Sequence, residues 1–283
     1  MLSEESLELI VQDHLAELEW QAGHGPDFAP GSGERDTWND IVLRGRLRNA
    51  VRNLNPDVPE EYLDQAIGEV ITPKSQSAIA ENRRIHQILV EGYRGIEYID
   101  HEGNFQNPTI NFLSSHPHKN DYLSLNQVTV ANLDGERRFD VVCYVNGMPL
   151  AFIELKKTGA NTSVEGAHNQ LQTYVKEFGM AFRFANIVIP SDDLSAKYGT
   201  PFTPWNHFAP WNVDEDGSPV DPNNMVVAGE PVTQLDLLLD GLFNVERFGQ
   251  LYSDFTAFDD TAEGLIMRIA KPHQYFAVTK AVG

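Results

Sequence analysis

A single cysteine, Cys143, stands among 283 residues, which excludes an intrachain disulfide and any cysteine-based zinc site. Its setting, Val141-Val142-Cys143-Tyr144-Val145, reads as a buried strand, so it is expected to be a small core residue and not a reactive thiol. No apolar run approaches the roughly 18 residues that a membrane span requires, so no membrane partner is expected. Basic residues are scarce: 21 Lys and Arg face 41 Asp and Glu, a formal charge of -20 that repels a polyanion at long range. That balance does not decide against nucleic acid, because contacts depend on local patches and a cation site needs carboxylates in any case. No G-x4-G-K-[ST] phosphate loop is present, which excludes ATP hydrolysis by these residues alone. Helix-turn-helix and zinc-finger patterns are also missing, so base reading is expected to reside in a partner. The start, Met1-Leu2-Ser3-Glu4-Glu5, is acidic where a secretory signal would be basic, and a cytoplasmic location is expected.

What is there is a globular composition, 41% hydrophobic and 22% charged, with a helical half followed by a strand-rich half. Leu7, Ile10, Val11, His14, Leu15 and Leu18 form a helical stripe over residues 3 to 20, with Ser3 or Ser6 as the cap. Glycines and prolines between Gly23 and Gly33 break the chain, and helical patterns follow at 36–54, 59–70 and 76–92. Strands are expected at Ile96–Ile99, Leu123–Val130, Phe139–Tyr144 and Leu150–Leu155, the last two joined by a type I′ turn at Asn146-Gly147. A loop at Thr158–Thr162, a helix at 164–178 and a strand at Ala185–Ile189 complete an α/β fold, a central mixed sheet flanked by helices. Residues 199–232, rich in proline, read as a linker, and Leu235–Leu242 and Val245–Tyr252 as helices. The expected organisation is therefore a domain at 1–198, the linker, and a helical segment at 233–283, the last ending without a stop signal, as in a fragment of a longer protein.

Chemistry concentrates in Arg138-Phe139-Asp140-Val141-Val142-Cys143-Tyr144 and Pro149-Leu150-Ala151-Phe152-Ile153-Glu154-Leu155-Lys156-Lys157. Asp140 opens one apolar strand, and Glu154 and Lys156 close the next. Burying such groups is costly unless they pair or bind a cation. Alternation puts Glu154 and Lys156 on one face with Leu155 turned to the core, and the hairpin brings Asp140 near Glu154. Two converging carboxylates suit magnesium, which prefers oxygen ligands. An adjacent ammonium, Lys156, would orient or deprotonate a bound water or stabilise a pentacoordinate transition state.

This D-x13-E-x-K pattern resembles the PD-(D/E)xK nucleases, with Phe139-Asp140 replacing the usual Pro-Asp. The surrounding words resemble the N-terminal nuclease region of the R (restriction and translocation) subunit of type I restriction-modification enzymes. They are Glu81-Asn82-Arg83 with Glu91-Gly92, Asn120-Asp121-Tyr122, Asn126-Gln127-Val128-Thr129-Val130, Thr233-Gln234-Leu235-Asp236, and Phe243-Asn244-Val245-Glu246-Arg247-Phe248. The resemblance implies a restriction-endonuclease-like core that hydrolyses double-stranded DNA with Mg2+. Asp140, Glu154 and the Leu155 carbonyl would be metal ligands, and Lys156 the catalytic lysine. Gln170 and Tyr174, one turn apart, match a Q-x3-Y motif that would contact DNA or support the lysine. Glu8 is the choice for an acidic residue from the first helix, ahead of Glu4 and Asp13. Lys271 to Val278 resembles the segment before the first helicase motif, where Gln274 would touch adenine. Binding and use of ATP are then expected downstream, together with modification and specificity subunits as partners.

Other readings stand beside this one. The same fold, catalytically degenerate, would serve as a DNA-binding or docking module, and an RNA-directed or standalone nuclease is a further alternative. Arg44, Arg46, Arg48 and Arg52, like Arg83, Arg84, Arg137 and Arg138, suit a solvated surface as well as a phosphate track. His116-Pro117-His118 is expected to be solvent-exposed and not a metal pair. Trp205, Phe208 and Trp211 are expected to anchor the proline-rich stretch rather than to stack on bases.

Overall fold

Ser3 lies in extended backbone, and its hydroxyl accepts the Ser6 N–H at 3.1 Å, which starts helix α1 (Glu4–Glu17) in the computed structural model. The structure describes residues 3–133, 135–157, 163–192, 194–222, 226–227 and 230–282. The loop expected at Thr158–Thr162 lies outside them. Helix α1 buries Leu7, Val11 and Leu15, but Ile10, expected in the same stripe, is 47% exposed. Its buried arc turns instead toward Glu8 and Gln12, because both find polar partners: Gln12 Nε2 donates to the Gly23 and Ser124 carbonyls at 2.8 and 3.1 Å.

The helix expected from residue 36 begins only at Arg44, as α2 (Arg44–Leu54). Residues before it are claimed by other bonds. The Leu43 N–H donates to the Gly147 carbonyl at 2.9 Å, and the buried Arg35 guanidinium binds the Trp38, Asp40 and Thr129 carbonyls. Helices α3 (Glu60–Ile71) and α4 (Ala78–Glu91) follow. Only Tyr98–Ile99 of the expected strand at 96–99 is paired, as β2 with β3 (Phe105–Gln106).

The central sheet runs in the order β1 (Gln21–His24), β4 (Tyr122–Asn132), β5 (Gly135–Val145), β6 (Met148–Leu155), β7 (Ile187–Ser191). Strand β1 (Gln21–His24), unexpected in a glycine-rich stretch, pairs parallel to β4 (Tyr122–Asn132). Antiparallel ladders join β4 to β5 (Gly135–Val145) and β5 to β6 (Met148–Leu155). After helix α5 (Val164–Glu177), β7 (Ile187–Ser191) returns parallel to β6, as a helical crossover requires. The fold is thus α/β, a mixed sheet flanked by helices, in keeping with a nuclease-like core. All eight residues of β6 are buried, and Phe139, Phe152 and Phe182 meet edge-on or tilted beneath α5.

The proline-rich stretch does not lie free where it is described. Tyr198 pairs with Ala209, Trp211 is 1% exposed, and Trp205 packs against His168 of α5 with ring centroids 4.8 Å apart. Its short strands β8 (Val226–Val227) and β9 (Glu230–Pro231) pair with each other. A capping box at Thr233 and Asp236 starts α6 (Gln234–Phe243), and α7 (Val245–Ser253) follows. Trp20 holds both helices to the core, edge-on to Phe243 and Phe248, its indole N–H donating to the Phe243 carbonyl at 2.8 Å. A hairpin absent from the sequence reading, β10 (Thr256–Thr261) and β11 (Gly264–Ile269), lies against α4 before the last helix, α8 (Pro272–Val282).

Candidate functional site

Strand register sets the site. Val141 pairs with Ile153, so the next positions outward, Asp140 and Glu154, stand opposite each other where the β5–β6 ladder ends. The Leu155 N–H donates to Asp140 Oδ2 at 2.8 Å, and the Lys156 ammonium to Glu154 Oε1 at 3.0 Å. Leu155 is fully buried, as expected from alternation, and Glu154 is 1% exposed. Glu8 reaches the same region from α1 at 3% exposed, accepting from Asn126 Nδ2 at 3.3 Å.

These carboxyls repel one another. Burial and the Asp140 charge push Glu154 up to about 8, and burial with Asp140 pushes Glu8 up to about 7. Asp140 is also raised by burial, in spite of the Leu155 N–H and Lys156. Burial alone would lower Lys156, but Glu154, Asp140 and Glu4 outweigh it and hold the amine protonated. Such a surplus of buried negative charge fits an oxygen-liganded cation. Among the described residues no three His, Cys, Asp or Glu side chains are grouped to hold a metal by themselves. The fitting donor set is therefore two carboxylates with backbone oxygen and water, the kind magnesium accepts.

Gln170 and Tyr174 share a face of α5, with the Gln170 amide donating to the Tyr174 hydroxyl. Tyr174 packs edge-on to Phe139, and its hydroxyl, raised by burial, also feels Glu154 and Asp140. Of the other first-helix acids, Asp13 is exposed, whereas Glu4 is exposed but near enough to act on Asp140, Glu154 and Lys156. Gln274 stands on another element, exposed on the first turn of α8, where its Oε1 accepts the Lys271 N–H. Arginine clusters are largely neutralised: Arg44 pairs with Asp36 and Asp40, Arg46 with Asp121, Arg48 with Asp64, Arg52 with Glu60 and Arg137 with Glu177. Arg138, two residues before Asp140, is exposed and acts on both Asp140 and Glu8. His118 is exposed and pairs with Glu19 and Glu246.

Sequence reasoning missed Asn126 and Gln127 as neighbours of this site. Both lie in β4, and only the β4–β5 register places them beside Asp140: Asn126 pairs with Val141 and Val128 with Phe139, leaving Gln127 across from Asp140.

The family model for the type I restriction enzyme R protein N terminus matches residues 1–207. The chain belongs to this family. Over 280 residues it is 28% identical to a putative type I restriction enzyme MjaIXP endonuclease subunit of Methanocaldococcus jannaschii, covering 95% of this chain and 26% of that protein. Over 288 residues it is also 28% identical to the type I restriction enzyme HindI endonuclease subunit of Haemophilus influenzae, covering 100% of this chain and 26% of the relative. An 81-residue stretch is 33% identical to a Staphylococcus aureus type I restriction enzyme endonuclease subunit, 28% of this chain and 8% of that one. The chain thus spans about a quarter of the length of the first two relatives. As a member of the R protein N-terminal family it stands with subunits named as endonucleases, and it has no helix long and apolar enough to cross a membrane among the described residues.

Proposed function

We propose that this chain is the endonuclease portion of a type I restriction R subunit and hydrolyses phosphodiester bonds of double-stranded DNA with magnesium. The observation that carries the reading is the meeting of Asp140, Glu154 and Lys156 at the open end of a buried hairpin, two carboxylates and one ammonium with no apolar reason to be there. Asp140 and Glu154, with the Leu155 carbonyl, would hold the cation. A bound magnesium ion supplies a water of lowered pKa and neutralises charge growing on the scissile phosphate.

The chain's own groups do the rest. Lys156, held protonated by Glu154, enters as a cation and hydrogen-bond donor, orienting the attacking water and offsetting phosphate charge. Tyr174 and Gln170 brace that corner and contact the DNA backbone, while Glu8 adds a third carboxyl. Residues 1–198 are the nuclease domain, 199–232 the connection, and 233–283 the approach to an ATP-driven motor, with Gln274 at its adenine edge. Modification and specificity subunits supply site recognition in the cytoplasm.

The test is cleavage and ATP hydrolysis by the assembled enzyme carrying Asp140→Ala, Glu154→Ala or Lys156→Ala. Each should abolish cleavage and leave ATP-driven translocation intact; retained cleavage by the Lys156 variant overturns the assignment. Calorimetric titration with Mn2+ separates catalysis from a docking role, because the docking reading expects no difference between wild type and Asp140→Ala.

A further inference from the structure

Arg137 and Arg138 are neighbours in sequence and have opposite fates. Arg137 Nη2 donates to Glu177 Oε2 of α5 at 2.5 Å, and its guanidinium lies 5.8 Å from the centroid of the Phe178 ring. Successive residues of a strand point to opposite sides, so Arg138 is turned away from α5. It stands exposed, across from Thr129 of β4, which carries no charge. Of the eight arginines in the clusters at 44–52, 83–84 and 137–138, seven are ion-paired. Arg138 is the exception: among the described residues it has neither an ion pair nor a hydrogen bond.

The exception falls beside the candidate site. Arg138 precedes Asp140 by two residues of the same strand, roughly 6.5 Å of backbone at the usual rise, on a ladder that keeps register from Thr129 and Arg138 to Asn126 and Val141. Neither nearby carboxyl bonds to it. Asp140 Oδ2 accepts the Leu155 N–H at 2.8 Å, and Glu8 Oε2 accepts the Asn126 amide at 3.3 Å, so both are engaged elsewhere. With 41 acidic residues against 21 basic ones, the chain has acids to spare for pairing, which makes a free guanidinium here notable. Its fork of donors is open to solvent and matches two oxygens of a phosphate. Its charge also offsets, locally, the repulsion that the net charge exerts on a polyanion.

We propose that Arg138 grips the DNA backbone at this site: with the scissile phosphate at Asp140, Glu154 and Lys156, its guanidinium takes the neighbouring phosphate of the same strand. The inference rests on the nuclease reading above and adds to it a group that anchors the substrate. Arg138 holds no metal and moves no proton.

The experiment compares cleavage and ATP-driven translocation by the assembled enzyme carrying Arg138→Ala, Arg138→Lys or Lys156→Ala, together with Mn2+ titration and thermal melting of the 283-residue chain. Arg138→Ala should slow cleavage about tenfold at about 50 mM salt, the worth of one hydrogen-bonded charged contact. The deficit should narrow at about 200 mM, because added salt weakens the wild-type contact, and translocation should keep its wild-type rate. Arg138→Lys, which retains the charge and loses the fork, should recover part of the cleavage. Mn2+ affinity of Arg138→Ala should be unchanged or higher, since a positive charge acting on Asp140 has been removed, and the melting temperature should not change. An arginine that merely shaped the site would lower cleavage, Mn2+ affinity and melting temperature together, with no dependence on salt. Wild-type cleavage by Arg138→Ala, or a loss that salt does not narrow, overturns the inference alone when Lys156→Ala abolishes cleavage. Retained cleavage by Lys156→Ala overturns the nuclease assignment and the inference with it.

Discussion

The two ends of the β5–β6 hairpin both bury polar side chains and solve opposite problems. At the turn, Asn146 is fully buried, and every polar atom of its side chain is used. Its Oδ1 accepts the Asp121 N–H at 2.8 Å, and its Nδ2 donates to the Phe112 carbonyl and Asn120 Oδ1, both at 2.9 Å. Gly147 follows at φ 77°, where a Cβ would stand 2.4 Å from the Leu43 carbonyl oxygen. At the open end, Asp140 and Glu154 face each other with Lys156 as the bonded cation and Glu8 acting on Asp140 from α1, and burial raises all three acids. One end is satisfied and stabilises the fold; the other keeps a surplus of buried negative charge and is where a ligand has something to do.

Two substitutions test that contrast. Glu154→Gln keeps the shape and removes the charge at the open end. It should lower cleavage by the assembled enzyme at least about a hundredfold, the size of a loss of several kcal/mol of charge stabilisation. Because Glu154 is held in an environment that penalises its charge, the metal-free variant should unfold at the same or higher urea concentration than wild type. A variant that is both unstable and active would reverse the comparison. Asn146→Ala should do the opposite, costing roughly 3 kcal/mol from three lost hydrogen bonds and a left-handed alanine, with cleavage by the folded fraction at the wild-type level. A urea midpoint equal to wild type would show that the turn end is not the structural anchor.

Much of this contrast was legible in sequence. Asn146-Gly147 names its own turn, and alternation alone sets Leu155 inward with Glu154 and Lys156 together, because strand periodicity and turn chemistry are local. The α/β arrangement and most helices follow from the same local signals. What was hidden depends on distant partners. Residues 36–43 carry a helical pattern but are drawn into bends and turns by Gly147 and Arg35. Strand β1 is too short and too rich in glycine to announce itself, and becomes a strand only because β4 offers it an edge. Ile10 loses its place in the core to Glu8 and Gln12, whose partners sit over a hundred residues away. Gln127 carries no signal at all until the β4–β5 register sets it across from Asp140.

A third region separates satisfied charge from unsatisfied charge on a single helix. His14 lies on α1 six residues beyond Glu8, with Nε2 2.7 Å from Asp240 and Nδ1 3.7 Å from Asp236, both on α6. Burial alone would lower the imidazole, but hydrogen bonds and charge from the two aspartates raise it to about 9 from an ordinary 6.5. The fold therefore favours the protonated ring. Its contribution is complete below pH 6.5 and is lost as pH rises through about 9, since the folded protein then gives up a proton that the unfolded chain has already released. Because the aspartates are a third to a half exposed, the ion pairs are worth about 1 kcal/mol at most. His14→Ala should thus destabilise the chain more at about pH 6 than at about pH 10, by that small difference, with Mn2+ affinity at the wild-type value. Should His14→Ala weaken Mn2+ binding instead, α1 would be set in place by its grip on α6, and the boundary between the stabilising charges and the functional ones would run through this helix rather than between its ends.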